Sequence, residues 1–279
     1  MKKILLAIDA AGPDMAALDF ACYLGRLTRS YVTAVFLENL VAEEKPVLKQ
    51  AHGIRYLDWE VDEQSDEFIT RKKIVEKNIV MCREACINRG VHMKIHRDRG
   101  VPAREVIDES RYADLIVVDA ATSFKKIYEG SPTEFVRDIL KEAECPVIIA
   151  PERFDGIDEI VFTYNGSASS MFAIKQFTYL LPQLKDKTVT VLQVNDQPGL
   201  PLIDKYKFKE WFKEHYANIV FEEQDGTVEG VMMNYLFTRK NAFVTMGAYG
   251  RGAVSLFFKR SHADLLIKTV TQPIFITHC

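Results

Sequence analysis

The features that assign a chain to a class at a glance are missing here. No apolar run approaches the ~18–20 residues that span a bilayer, so no transmembrane helix is predicted and no membrane partner is expected. Charge of one sign is also lacking. Lys and Arg number 36 against 39 Asp and Glu, a net charge of −3, which provides none of the basic field that a phosphate backbone requires. Nucleic acid is therefore not an expected partner. Cysteine is sparse and odd in number: Cys22, Cys82, Cys86, Cys145 and Cys279 lie scattered in apolar contexts. That usage suits reduced thiols in a cytoplasmic protein and argues against a disulfide framework.

Catalytic signatures are absent too. There is no G-x-S-x-G elbow and no H-E-x-x-H pair, and GRGAVSLFFKRS lacks the Gly-Lys-Ser/Thr spacing of a Walker A loop. The chain is not expected to be an enzyme. A weak ATPase would need a metal-binding carboxylate near the phosphates, and the sequence offers no good candidate. Cys82 and Cys86, followed by His92 and His96, suggest a metal site at first. The histidines fall on a predicted strand, however, where residues four apart are about 13 Å from each other. Core cysteines and surface histidines are expected, and no metal site.

What is present is an ordinary globular composition, 48% apolar and 27% charged, in 279 residues, enough for two domains of about 140 residues each. The opening MKKILLAIDAAG imitates a signal peptide, but Asp9 interrupts the apolar run early. It is expected to be a buried first strand.

The chain also contains a repeat. KKILLAIDAAGPDMAALDFACYLGRLTRSYVTAVFLEN lies without a gap on DEIVFTYNGSASSMFAIKQFTYLLPQLKDKTVTVLQVN, matching Asp9 to Asn165 at an offset of 156 residues. Farther on, ADLIVVDA lies on NAFVTMGA and CPVIIAP on QPIFITH, at offsets of 128 and 127. The shortfall means that the first copy carries some 28 extra residues, a charged insertion near 42–70 that includes WEVDEQSDE. This insertion is either a solvated loop or a partner-binding arm.

Strands are predicted at 3–9, 32–38, 91–97, 114–119 and 146–150, with helices near 13–29, 66–89, 102–111 and 132–143. In the second copy strands are predicted near 159–164, 188–194, 218–222, 242–246 and 273–277. Short, almost wholly apolar strands alternating with helices predict a parallel sheet covered on both faces, a doubly wound α/β fold in each half. The boundary falls at PERFDGID, giving domains of 1–152 and 156–279.

ILLAID, the stretch HRDRGVPAREVIDESRYADLIVV running into ADLIVVDA, and CPVIIA, in this order and largely repeated, resemble the universal stress protein family in tandem form. The resemblance implies a Rossmann-like, five-stranded sheet of order 3-2-1-4-5 in each half, with the last strands pairing across the halves as a pseudo-dimer. Ligands of such sheets bind beyond the carboxyl ends of the strands where the order reverses, here after Asp9 and Val118 and again after Asn165 and Met246. Whether the chain also forms a homodimer is left open.

ATP-binding members of the family carry Gly-x2-Gly-x9-Gly-Ser/Thr after the fourth strand. Glycines let the backbone approach phosphate oxygens, and a following helix presents unpaired N–H groups. In the second copy Gly247 and Gly250 match, and Arg260-Ser261 occupies the Gly-Ser position. Arg260 either grips a phosphate in bidentate fashion or fills its place. Ser261 either serves the phosphate or caps its own helix. His262 either approaches the phosphate or is solvated.

Asn165 stands where binding members have an Asp that recognises the adenosine, and Val194 and Met246 fall at adenine-lining positions or simply pack in the core. The first copy keeps Asp9 but has Asp119 and Thr122 in place of the glycines. An acid there repels phosphate, so this site is expected to be degenerate. Thr133-Glu134 falls at its Gly-Ser position, and GSP at 130–132 is expected to lead into a helix with Pro132 near the first turn. The expected function is a cytoplasmic stress-response protein that binds ATP, with Mg only alongside the nucleotide, in the second domain. The alternative is a nucleotide-independent scaffold with both crevices degenerate.

Overall fold

The computed structural model describes residues 1–41, 44–52, 54–195, 205–247 and 272–277. The chain opens on β1 (Lys3–Asp9), whose central residues Ile4 to Ile8 are all buried, as a strand covered on both faces requires. Helix α1 (Met15–Thr28) follows. Its start is fixed by Asp14, whose carboxylate accepts the Ala17 N–H at 2.6 Å, and its end by Arg29 in the left-handed conformation at φ 54°. Then come β2 (Tyr31–Leu37), β3 (Lys45–Ala51), β4 (Ile54–Glu60), α2 (Asp66–Asn88), β5 (Met93–Asp98), α3 (Pro102–Ser110), β6 (Leu115–Val118), α4 (Glu134–Glu142) and β7 (Val147–Ile149).

The second half repeats the plan with β8 (Glu159–Tyr164), α5 (Ala168–Leu180), β9 (Thr188–Asn195), α6 (Lys205–His215), β10 (Ile219–Asp225), α7 (Val228–Phe237), β11 (Ala242–Gly247) and β12 (Ile274–Thr277). The ten main strands form one sheet in the order β10-β9-β8-β11-β12-β7-β6-β1-β2-β5. Within each half the strand order is 3-2-1-4-5 and all pairs are parallel. Between the halves β12 pairs antiparallel with β7, Ile274 opposite Ile149 and Ile276 opposite Val147. The two halves thus meet as a pseudo-dimer whose central edges are paired, leaving only β5 and β10 at the ends. The core crosses this line as well. Phe20 of α1 lies edge-on to Phe243 of β11, with ring centroids 6.0 Å apart.

The charged insertion is neither a plain loop nor part of the main sheet. Its first part folds into β3 and β4, an antiparallel hairpin forming a separate two-stranded sheet. Its acidic part is the start of a helix. The Ser65 hydroxyl accepts the Phe68 N–H at 3.3 Å, and Asp66 and Glu67 occupy the first turn of α2, where negative charge meets the positive end of the helix dipole. Helix α4 begins two residues later than the sequence predicts. The Thr133 hydroxyl captures the Val136 N–H, so Pro132 precedes the cap and is not in the first turn.

Cys82 and Cys86 do sit in the core, with the sulfur of Cys86 3.3 Å from that of Cys22 on α1. His92 is exposed, whereas His96 is half-buried with its ring 2.5 Å from Glu109. No group of three or more His, Cys, Asp or Glu among the described residues is placed to hold a metal ion.

Candidate functional site

The first switch point lies between the carboxyl ends of β1 and β6. A cavity of about 280 Å³ opens there, lined by Asp9, Asp14, Asp119, Thr122 and Ser123 among others. Each carboxylate is already engaged by the chain around it. One oxygen of Asp9 accepts the Ala11 N–H at 2.9 Å, and Asp14 caps α1. Burial pushes the Asp9 carboxyl above its usual range, against the opposing pull of the Ala11 and Gly12 N–H groups. Asp119 is raised as well, first by burial and then by the charges of Asp14 and Glu152, opposed by the Ala121 N–H and the Thr122 hydroxyl. The Thr133 hydroxyl donates to the Thr122 carbonyl while capping α4, so the group at the family's Gly-Ser position is occupied by its own loop. Three carboxylates around one small cavity make it a poor seat for an anion.

At the second switch point the same positions in the repeat are neutral: Asn165 for Asp9, Ser170 for Asp14 and Gly247 for Asp119. The main-chain geometry at the first of them is retained. Asn165 Oδ1 accepts the Ser167 N–H at 3.1 Å, the same two-residue turn that Asp9 makes. Asn165 itself is exposed at the tip of β8. Val194 is half-buried and Met246 buried, and both pack in the apolar cluster beneath α7 with Val161 and Leu192.

Gly247, the last residue of β11, is pressed against the start of α5. A side-chain carbon there would lie 2.6 Å from the Ser169 carbonyl oxygen and 2.7 Å from Ser170 Cα. This closeness has a local cause. Helix α5 starts three residues earlier than α1 in the repeat alignment, because Ser167 caps α5 through the Ser170 N–H at 3.1 Å. The helix therefore comes down onto the strand end. Gly250, Arg260, Ser261 and His262 lie outside the described residues.

A second cavity was not anticipated from sequence. It has a volume of about 440 Å³ and lies where the loop after β6 meets the second half, with Asp119, Lys125, Glu129, Ser131, Glu152 and Gln272 in its lining. Lys125 is paired with Glu129 at 3.1 Å and with Glu134. Gln272 is buried, and its amide donates to the carbonyls of Leu236 and Arg239. The Gly-Ser-Pro at 130–132 marks this loop, but residues from two distant segments build the cavity, and no local pattern joins them.

The fold and its two switch points define a tandem pair of doubly wound domains. Comparison with known proteins agrees. No protein-family model matches the chain. Over 164 residues it is 27% identical to the universal stress protein Slr1230 of Synechocystis, covering 56% of this chain and 55% of that protein, so it spans about half the length of that curated relative. Among solved structures, a universal stress protein from Archaeoglobus fulgidus DSM 4304 superposes with a TM-score of 0.71 at 15% identity, covering 99% of this chain and 98% of the other. Protein PA1789 of Pseudomonas aeruginosa PAO1, functionally unknown, gives 0.57 at 11% identity, covering 100% and 92%. The chain is thus similar in sequence to a universal stress protein and has the fold of that family in its tandem form. No helix among the described residues is long and apolar enough to cross a membrane.

Proposed function

We propose that the chain is a regulatory module of the universal stress protein type, with domains at 1–152 and 156–279, that takes an adenine nucleotide, ATP with or without Mg, at the second switch point. The observation that carries this reading is electrostatic. Asp14 and Asp119 join Asp9 at the first crevice, and the second has Ser170 and Gly247 at their positions. An anionic phosphate is repelled by the first set and not by the second. Gly247, Gly250 and Ser261 match the phosphate-binding pattern of the family, with Arg260 at its third glycine and His262 beside it. Asn165, Val194 and Met246 form the nucleoside side. In this reading the protein senses a nucleotide and does no chemistry on it.

A second reading, the nucleotide-independent scaffold, is favoured by the contact between Gly247 and Ser169, because a glycine required for packing is not evidence of a phosphate nest. Calorimetric titration with ATP, with and without Mg, separates the two. Saturable heat that disappears in Gly250→Asp supports the nucleotide module. A flat titration at millimolar ATP refutes it and leaves the scaffold.

A further inference from the structure

The β3–β4 hairpin stands apart from the main sheet and presents large apolar side chains to solvent. Leu48 is 63% exposed, Ile54 70%, Leu57 67% and Trp59 60%. An isolated two-stranded hairpin is marginal in water and gains stability when strands are added. Its two edges differ. The β3 edge contains Pro46, which cannot donate to a ladder and blocks pairing there. The outer edge of β4, IRYLDWE, has no proline and pairs with no other strand among the described residues, so it is open to β-addition.

We propose that β4 is a self-pairing edge through which two copies of this chain dimerise, β4 against β4 in antiparallel sense, in the register that places Leu57 opposite Leu57 of the second copy. The alternatives fail on their own chemistry. A two-fold pairing must be centred on a residue that faces itself. Centring on Arg55 or on Asp58 sets like charges directly opposite each other, which is destabilising. Centring on Tyr56 shortens the overlap to residues 54–58.

Centring on Leu57 uses the whole of Ile54–Glu60. It sets Arg55 against the ring of Trp59, a cation–π pair made twice, and offers the Tyr56 hydroxyl to the Asp58 carboxylate, also twice. Leu48 lies opposite Leu57 within the hairpin, so four leucines then line up across a four-stranded sheet. The charges already present do not interfere, because Lys49 holds Asp58 at 2.7 Å and also pairs with Glu60 within its own hairpin.

Sedimentation equilibrium or light scattering of the full chain tests this. The expected mass is twice the 31.9 kDa of one chain, falling to one chain in Leu57→Asp with an unchanged circular dichroism spectrum. In a Cys279→Ser background, Leu57→Cys should form a cross-linked dimer on mild oxidation, because residues directly opposite have Cβ atoms about 5 Å apart. Leu48→Cys should not, because its mate lies three strand spacings away, roughly 14 Å. A one-chain mass for the native protein at every attainable concentration, a two-chain mass retained by Leu57→Asp, or equal cross-linking at both positions would each overturn the proposal. These readouts need no nucleotide, so they stand apart from the titration.

Discussion

Replacing Gly247 by Ala separates packing from ligand binding at the second switch point. The added carbon would lie 2.6 Å from the Ser169 carbonyl oxygen and 2.7 Å from Ser169 C and Ser170 Cα. All three are backbone atoms at the capped start of α5, so no side-chain end can swing aside to relieve the contact. The helix must lift from the strand. Overpacking of this kind costs typically 1–3 kcal/mol, and a clash with backbone belongs at the upper end, about 3 kcal/mol. For a chain of this size that loss is on the order of a 6–12 °C fall in the melting midpoint. Thermal melts and urea titrations without nucleotide measure it. A change within about 0.5 kcal/mol, the usual range of an inconsequential surface substitution, would refute the packing argument and return Gly247 to a role in ligand binding alone.

Asp119→Asn should stabilise the protein at neutral pH by a fraction of the native carboxylate's burial penalty. Because the native carboxyl is raised above the usual 3.8, the stability associated with its protonated form is fully present below that pH and is lost as pH rises through the native value. The gain from a neutral amide at this position is therefore expected at pH 7 and absent below the unfolded value; a variant less stable than the native protein at neutral pH would contradict it. The buried thiols give the second test. Burial raises Cys82 to about 11 and Cys145 to about 12 from a usual 9.0. Native stability should then fall as pH climbs from 9.0 toward those values, because the unfolded thiols ionise first. A double Cys82→Ala, Cys145→Ala variant should flatten that slope in urea titrations, and an unchanged slope would show that other groups set it.

Most of the architecture was legible because both of its signals are local. Apolar runs such as LIVV and the helices α1 and α2 each follow from a stretch of adjacent residues. The strand order came from the resemblance to the universal stress protein family, and the repeat carried it to both halves. The hairpin was not legible as structure, because KPVLKQA and IRYLDWE mix apolar and charged residues without a regular period of two, and the charges suggested only solvation. The close approach at Gly247 was hidden for a different reason. The gapless alignment matched Asp14 to Ser170, but the cap of α5 falls at Ser167, so the helix starts earlier and the two strand ends are packed differently. The cavity at Gln272 depends on the meeting of distant segments, which no window of sequence contains.

The two switch points show what a duplicated fold must keep and what it is free to change. Asp9 and Asn165 make the same bond to the N–H two residues on, at 2.9 and 3.1 Å, because the chain must turn from strand into helix at both places. An oxygen acceptor satisfies that need whether or not it carries a charge. The charge is thus the free variable. In the first copy it is retained and joined by Asp119 and Asp14, and burial raises the carboxyls of Asp9 and Asp119. In the second it is absent from all three positions. Each acid added at a crevice opposes the binding of an anion there, and the two crevices of this chain differ in that respect. The asymmetry between the two switch points is therefore one of charge, while the turn common to both serves the fold.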